Sequence, residues 1–206
     1  MAIDRRENKV VHRVRKKLPR SFYNRPTLDV ARDLLGKHLV FAAESGRLSA
    51  RIVETEAYIG QGDPACHAAR GKTARNAVMF GPPGFSYIYF IYGMYYCLNF
   101  VTEPANQPAA VLIRAAEPVE GVEPMLATGR NQKPQTVLSG PGKLCRAFGL
   151  TRDHSGLDLT AGGLFVEDGG EAPTRVVETV RIGINVGADL PWRFYDADSK
   201  SVSKPR

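Results

Sequence analysis

A chain of 206 residues, 43% hydrophobic and 24% charged, carries enough apolar material for one packed core and reads as a single globular domain. No apolar run approaches the about 20 residues that a bilayer-crossing helix needs, and the charged N-terminus has no apolar segment behind it, so neither a membrane span nor a secretory signal is expected. Three widely spaced cysteines, Cys66, Cys97 and Cys145, form neither a disulfide framework nor a zinc pattern and fit a reducing cytoplasm.

The net charge of +7 is unevenly placed. Residues 1–20 hold eight Lys/Arg and two Asp/Glu, so +6 of it lies there. A basic arm over residues 1–17, ahead of a domain over 18–206, suits attraction to nucleic-acid phosphates, and suits a solvated tail equally well. Beyond it, Leu28, Ala31, Leu34 and Leu35 share one face at helical spacing. Asn24 or Thr27 stands at the cap and Gly36 at the end. Lys37 to Ala43 reads as a strand, followed by a turn around Glu44-Ser45-Gly46.

The next strand is LSARIVETEAYIG. Alternation places Ile52, Glu54, Glu56 and Tyr58 on one side and Arg51, Val53, Thr55 and Ala57 on the other. Two carboxylates and a phenol thus line one face in an apolar setting, which fits either a solvated edge or a site. Residues 61–78 form a polar loop holding His67, Arg70, Lys72 and Arg75, and loops on a rigid scaffold often carry function.

Residues 85–101, FSYIYFIYGMYYCLNFV, contain five of the eight tyrosines. Each phenol needs a hydrogen-bond partner when it leaves water, so five are hard to bury together. Two strands are expected here, turning near Tyr92-Gly93. Tyr87 and Tyr89 share one face, Ile88 and Phe90 take the other, and Tyr92 stands at the tip. The strand from Ala109 to Ala116 buries one Arg, and a buried guanidinium without a partner costs several kcal/mol. Glu54 or Glu56 is the natural partner for Arg114. Residues 118–130 read as a short helix and 131–138 as irregular.

Ser139-Gly140-Pro141-Gly142-Lys143 opens a helix running to Phe148. It is no P-loop, because Val137 stands where the first glycine belongs and Leu144 where Ser/Thr belongs. Its free N–H groups, with Lys143, could still meet a phosphate. LFVED and TRVVETVRIGINV are the apolar pieces of 156–186, and Pro191–Tyr195 is a last compact segment.

Taken in order, RIVETEAYIG, CHAAR, RNAVMFGPPG, YIYFIYGMYYCLN, VLIRAAEP, SGPGKLC and RIGIN resemble the alkyladenine (3-methylpurine) DNA glycosylase family over most of residues 20–203. The resemblance implies an α/β (α+β) domain around a curved, largely antiparallel sheet with a protruding aromatic hairpin. It implies hydrolytic removal of alkylated purines, of the 3-methyladenine and 7-methylguanine type, flipped from duplex DNA during base excision repair. By position, Glu56 would deprotonate the water, with Arg114 and the Ile182 carbonyl holding it. Tyr58, His67, Tyr89 and Asn99 would form the base pocket. Tyr92 would be the wedge, flanked by Met94 and Tyr95. Arg70, Lys72, Arg75 and Lys143 would meet phosphates. The partner would be double-stranded DNA carrying alkylated bases, bound by a monomer without metal or cofactor, nucleoid-associated if bacterial and nuclear if eukaryotic.

The residues support this chemistry by themselves. Base extrusion costs a few kcal/mol, and an aromatic wedge offsets part of it. A cationic alkylpurine would gain about 0.5–2 kcal/mol from a cage of Tyr58, Tyr89 and neutral His67. General-base help is worth about 10²–10⁴-fold. No amine nucleophile stands beside Glu56 in sequence, so a monofunctional enzyme is expected. The rivals are a non-catalytic module that recognises distorted DNA, a small-nucleoside hydrolase that leaves Tyr92 and the basic arm without a role, and a deaminase. The last would need H-x-E with P-C-x-x-C, which the chain lacks.

Overall fold

The computed structural model describes residues 16–43, 46–60, 62–169 and 172–203. Eight antiparallel strands form one curved sheet in the order β3-β4-β5-β2-β1-β6, with β8 added beside β2 and β7 beside β8. The strands are β1 (His38–Ala43), β2 (Gly46–Ile59), β3 (Ser86–Ile91), β4 (Tyr95–Thr102), β5 (Ala109–Glu120), β6 (Leu164–Glu167), β7 (Val176–Thr179) and β8 (Arg193–Asp196). The helices are short: α1 (Arg20–Tyr23), α2 (Thr27–Asp33), α3 (Val122–Ala127), α4 (Pro134–Val137) and α5 (Pro141–Ala147). None is long and apolar enough to cross a membrane among the described residues.

β2 is the axis of the sheet. One of its edges pairs with β5. The other pairs with β1 over its first half and with β8 at Glu54–Glu56. Its alternation is broken. Register shifts lie between Ile52 and Glu54 and between Glu54 and Thr55, opposite Ala116, Ala115 and Ile113. The first leaves Val53 extra on β2 and the second leaves Arg114 extra on β5. Such bulges bend the strands and exchange their faces. Ile52 therefore joins Ala50 and Ala57 in the main apolar cluster, as Ala116 joins Ile113 and Val111. The strict alternation that grouped Ile52 with Glu54, Glu56 and Tyr58 does not hold.

Several boundaries also differ from expectation. β5 continues through Pro118 to Glu120, because its far end still pairs with Ser49–Arg51. Residues 131–138 contain the single turn α4, with Pro134 in its first turn. Neither Asn24 nor Thr27 caps α2. Its N-cap is Pro26, and Glu103 bonds the Thr27 N–H at 2.7 Å and the Thr27 hydroxyl at 2.8 Å. Within TRVVETVRIGINV only Val176–Thr179 is strand; RIGIN is a loop. Gly36, at φ 81°, closes the turn after α2 as expected. The basic arm lies outside the described residues up to 15, and Lys17 bridges to Glu167 at the β6 edge.

Main packing lies between the sheet and helices α2 and α5, where Leu34, Leu35, Ile52, Phe100, Ile113, Leu144 and Phe148 meet. A smaller cluster of Cys66, Ala68, Met79, Tyr87, Val101 and Ala110 supports the aromatic hairpin from its other face.

Candidate active site

The paired bulges turn Glu54, Glu56 and Arg114 away from the main cluster, and all three are buried. Glu54 and Glu56 share Arg114: Nε donates to Glu54 Oε1 at 3.2 Å and Nη1 to Glu56 Oε2 at 3.1 Å. Glu54 is saturated further by Arg193 Nε at 2.6 Å and by the Ser203 N–H and hydroxyl at 2.6 and 2.8 Å. It holds Arg114 and Arg193 in place and has little acceptor capacity left. Glu56 differs. Tyr58 donates to its Oε2 at 2.9 Å, and the Ile182 N–H donates to its Oε1 at 2.7 Å. Oε1 thus has a single partner among the described residues and keeps a lone pair for another donor.

Burial pushes the Glu56 carboxyl above its ordinary value of 4.5, against the lowering pull of Arg114, the Ile182 N–H and Tyr58, while Glu54 adds to the rise. Burial alone would weaken the Arg114 charge, but Glu56 and Glu54 more than offset it. Tyr58 is held firmly as a phenol, by burial first and by Glu56 second.

The three partners of Glu56, Tyr58, Arg114 and Ile182, line a cavity of about 930 Å³, with Glu56 itself buried behind them. Tyr58, His67, Tyr87 and Tyr89 give it aromatic walls, and Asn99, Arg114 and Ile182 also line it. The His67 ring lies 4.4 Å from Tyr89 at 73°, and its Nδ1 is 2.9 Å from the Tyr87 hydroxyl. Burial, with Arg75 nearby, lowers the His67 pKa, so the ring is neutral at pH 7. Asn99 spends both amide hydrogens on backbone carbonyls of Tyr87 and Cys97, at 3.0 and 3.2 Å, which ties it to the hairpin. Among the described residues no group of three or more His, Cys, Asp or Glu could hold a metal ion.

The hairpin β3–β4 turns at Tyr92 and Gly93, with φ of 54° and 68°. Met94 N–H donates to the Ile91 carbonyl at 3.2 Å, and two positive φ values at the central residues suit the twist of a hairpin. Gly93 takes such a φ freely; a tyrosine does not. Tyr92 is nevertheless 70% exposed, beside Met94 at 64%. A large ring is thus held out at the cavity mouth on strained backbone. Tyr95 lies inward, against Gly142 of α5, where an added Cβ would come within 2.7 Å of the ring.

A model of the methylpurine-DNA glycosylase family matches residues 21–200. The chain belongs to this family. It is 58% identical over 192 residues to a protein of the archaeon Methanocella arvoryzae, covering 91% of this chain and 96% of that one. It is 50% identical over 189 residues to a protein of Carboxydothermus hydrogenoformans, covering 91% and 98%. Both relatives carry the name "Putative 3-methyladenine DNA glycosylase".

Of the residues singled out in the family motifs, Tyr58, His67, Tyr89, Tyr92, Tyr95, Asn99, Arg114, Lys143 and Ile182 all border one cavity, and Glu56 lies beneath it. Ile182 reaches Glu56 through its N–H. Lys143 bonds Ser139 and the Thr136 carbonyl, at 3.2 and 3.3 Å. Arg70, Lys72, Arg75 and Met94 lie outside the cavity lining on exposed surface. Arg75 reaches the Phe90 carbonyl at 3.3 Å and lies over the Tyr89 ring. Sequence reasoning missed Tyr87 as a wall, although the period-2 pattern had placed it beside Tyr89. It also missed Arg193, Ser203, Asp63 and Arg181, whose partners are 118 to 149 residues away in the chain for the longest bonds.

Proposed function

We propose that this chain is a monofunctional DNA glycosylase. It extrudes an alkylated purine of the 3-methyladenine or 7-methylguanine type from duplex DNA, as a monomer, and hydrolyses its N-glycosidic bond. The observation that carries this reading is the Glu56 carboxylate, buried and open at one lone pair, beneath a ring-lined cavity with an exposed tyrosine at its mouth.

Tyr92 enters the gap left by the extruded nucleotide and replaces part of its stacking, worth roughly 1–3 kcal/mol. The base passes between Tyr58 and the His67–Tyr89 pair, with Asn99 at the floor. Stacking suits any purine, and a positive charge on an alkylated one adds cation–π attraction of about 0.5–2 kcal/mol. Glu56 Oε1 accepts a proton from a water that the Ile182 carbonyl and Arg114 help to hold. The water oxygen bonds to the anomeric carbon, the glycosidic bond breaks, and its electron pair leaves with the base. A cationic purine departs neutral and needs no acid. The raised carboxyl pKa makes Glu56 a stronger base, and its charge opposes the positive sugar of the transition state. Arg70, Lys72, Arg75 and Lys143 meet backbone phosphates around this mouth.

Incubating the protein with methylated duplex and separating free bases tests the reading. Release of 3-methyladenine or 7-methylguanine, leaving abasic sites and unbroken strands, supports it. Tight binding without base release favours a non-catalytic reader of distorted DNA.

A further inference from the structure

We infer that Asp63 and Arg181 form a positioning pair that aligns the Tyr58 wall and the Ile182 backbone on Glu56. This rests on the glycosylase reading for its kinetic consequence, but its geometric content stands apart from it.

Arg181 has a fully buried side chain. Its Nη1 donates to Asp63 Oδ2 at 2.6 Å and to the Ala57 carbonyl at 3.0 Å. Its Nη2 donates to Asp63 Oδ1 at 2.8 Å and to the Gly187 carbonyl at 3.1 Å. Its guanidinium lies over the Tyr58 ring at 4.7 Å and the Trp192 ring at 5.1 Å. One rigid fork thus grips two separate backbone carbonyls and the Asp63 carboxylate. Ala57 stands between Glu56 and Tyr58. Gly187 closes the loop that begins at Arg181 and presents Ile182. Asp63 opens the loop that carries His67, and its own carboxylate accepts from the Ala65 N–H at 3.1 Å.

The two loops also touch directly. A Cβ on Gly187 would meet Arg181 Nη2 at 3.2 Å and Pro64 at 3.2 Å, and its φ of 58° favours glycine, so a side chain there would crowd the two loops. Arg181 Nε is buried with no acceptor among the described residues. The pair lies behind the Tyr58 ring, away from the cavity, and does not line it. It acts through Tyr58 and Ile182.

The consequence is readable at Glu56. This carboxylate is faced by Glu54 and Tyr58 of β2, Arg114 of β5, Cys97 of β4, Arg193 of β8 through Glu54, and the Ile182 N–H with Arg181 behind it. The Ile182 contact depends on the 181–187 loop directly, and the Tyr58 contact leans on it through the Arg181 guanidinium over the ring. Losing the Ile182 contact removes one interaction that favours the charged carboxylate.

Arg181→Lys keeps the charge opposite Asp63 but loses the fork on Ala57 and Gly187. In the full chain, three readings are expected. Binding to a duplex with an abasic analogue stays within about threefold. Single-turnover base release falls roughly 10–100-fold, as for a misplaced catalytic group. The acid limb of its pH profile and the Glu56 carboxyl titration, followed by ¹³C NMR, both move to higher pH. Asp63→Asn provides the second variant for folding and base release, which should fall in the same range; because it also leaves the Arg181 charge unpaired near Glu56, the titration is read in Arg181→Lys, which keeps the charge. An unmoved Glu56 titration in a folded Arg181→Lys protein overturns the inference. So does failure of both variants to fold where the wild type folds, which would make the pair a fold element only. The NMR titration reads the inference even if wild type releases no base, which would defeat the glycosylase reading instead.

Discussion

Replacing Glu56 by Gln removes a charge and one acceptor oxygen while keeping the shape. Three donors converge on this carboxylate: Arg114 Nη1 at 3.1 Å, Tyr58 at 2.9 Å and the Ile182 N–H at 2.7 Å. If the Gln carbonyl stays on Ile182, its NH₂ faces Arg114 and Tyr58. Tyr58 can rotate its hydroxyl to accept, and Arg114 keeps Glu54 at 3.2 Å. One charge-assisted hydrogen bond is therefore lost, worth about 1.5–3 kcal/mol. Against that, the folded pKa of Glu56 lies above its unfolded value of 4.5, so the ionised carboxylate opposes folding at neutral pH. Removing it relieves that opposition, and the two effects offset. Stability at pH 7 is expected to stay within about 2 kcal/mol of wild type. The variant's relief shrinks as pH falls through the folded pKa and vanishes below 4.5, where wild-type Glu56 is protonated in both states. Base release, in contrast, should fall by about 10²–10⁴, or about 2.7–5.4 kcal/mol of barrier. Single-turnover release from methylated duplex, with thermal unfolding at pH 4.5 and 7, measures both. A folded Glu56→Gln protein that releases base at more than about a tenth of the wild-type rate refutes a general-base role for this carboxylate.

Further outcomes are expected elsewhere in the molecule. Tyr92→Gly should weaken binding to a lesion duplex far more than to single-stranded substrate, while its thermal stability holds or rises, because a φ of 54° strains a tyrosine and suits glycine; a clear loss of stability would mean that Tyr92 packs rather than protrudes. Gly142→Ala should push the Tyr95 ring from its seat at the cavity edge and lower lesion binding, read by fluorescence anisotropy, with wild-type affinity as the contrary result. The folded pKa of His67 lies below its unfolded value of 6.5, so wild type should lose stability as pH falls below 6.5, and His67→Gln should lose less; equal acid sensitivity of the two proteins would disprove this.

The chain's local patterns announced much of this site. Five tyrosines within ten residues, broken at Gly93, suited a hairpin with Tyr87 and Tyr89 on one face, because alternation is a property of adjacent residues; that Tyr87 is buried while Phe90 of the other face is exposed was decided by packing. Arg114 in an apolar run demanded a carboxylate, because an unpaired buried guanidinium is too costly. The curved sheet with its aromatic hairpin followed from motifs in a family's order. What the pattern could not carry was everything that depends on register between distant strands. The bulges at Val53 and Arg114 exist only as a mismatch between β2 and β5, and they decide that Ile52 turns to the core while Glu56 turns to the cavity. β8 looked like a compact tail, yet it pairs with the middle of β2 and brings Arg193 to Glu54.

Sequence by itself thus determined which side chains must find partners: a charge in an apolar strand, phenols in excess, a glycine at a tip. Tertiary structure decided which partners they found. Asp63 and Arg181 look like two ordinary charges in two polar loops, and nothing within a short window distinguishes them from solvated ones. Their burial arises only when loops 118 residues apart close on one another, since desolvation is a property of the assembled surface and not of the residue.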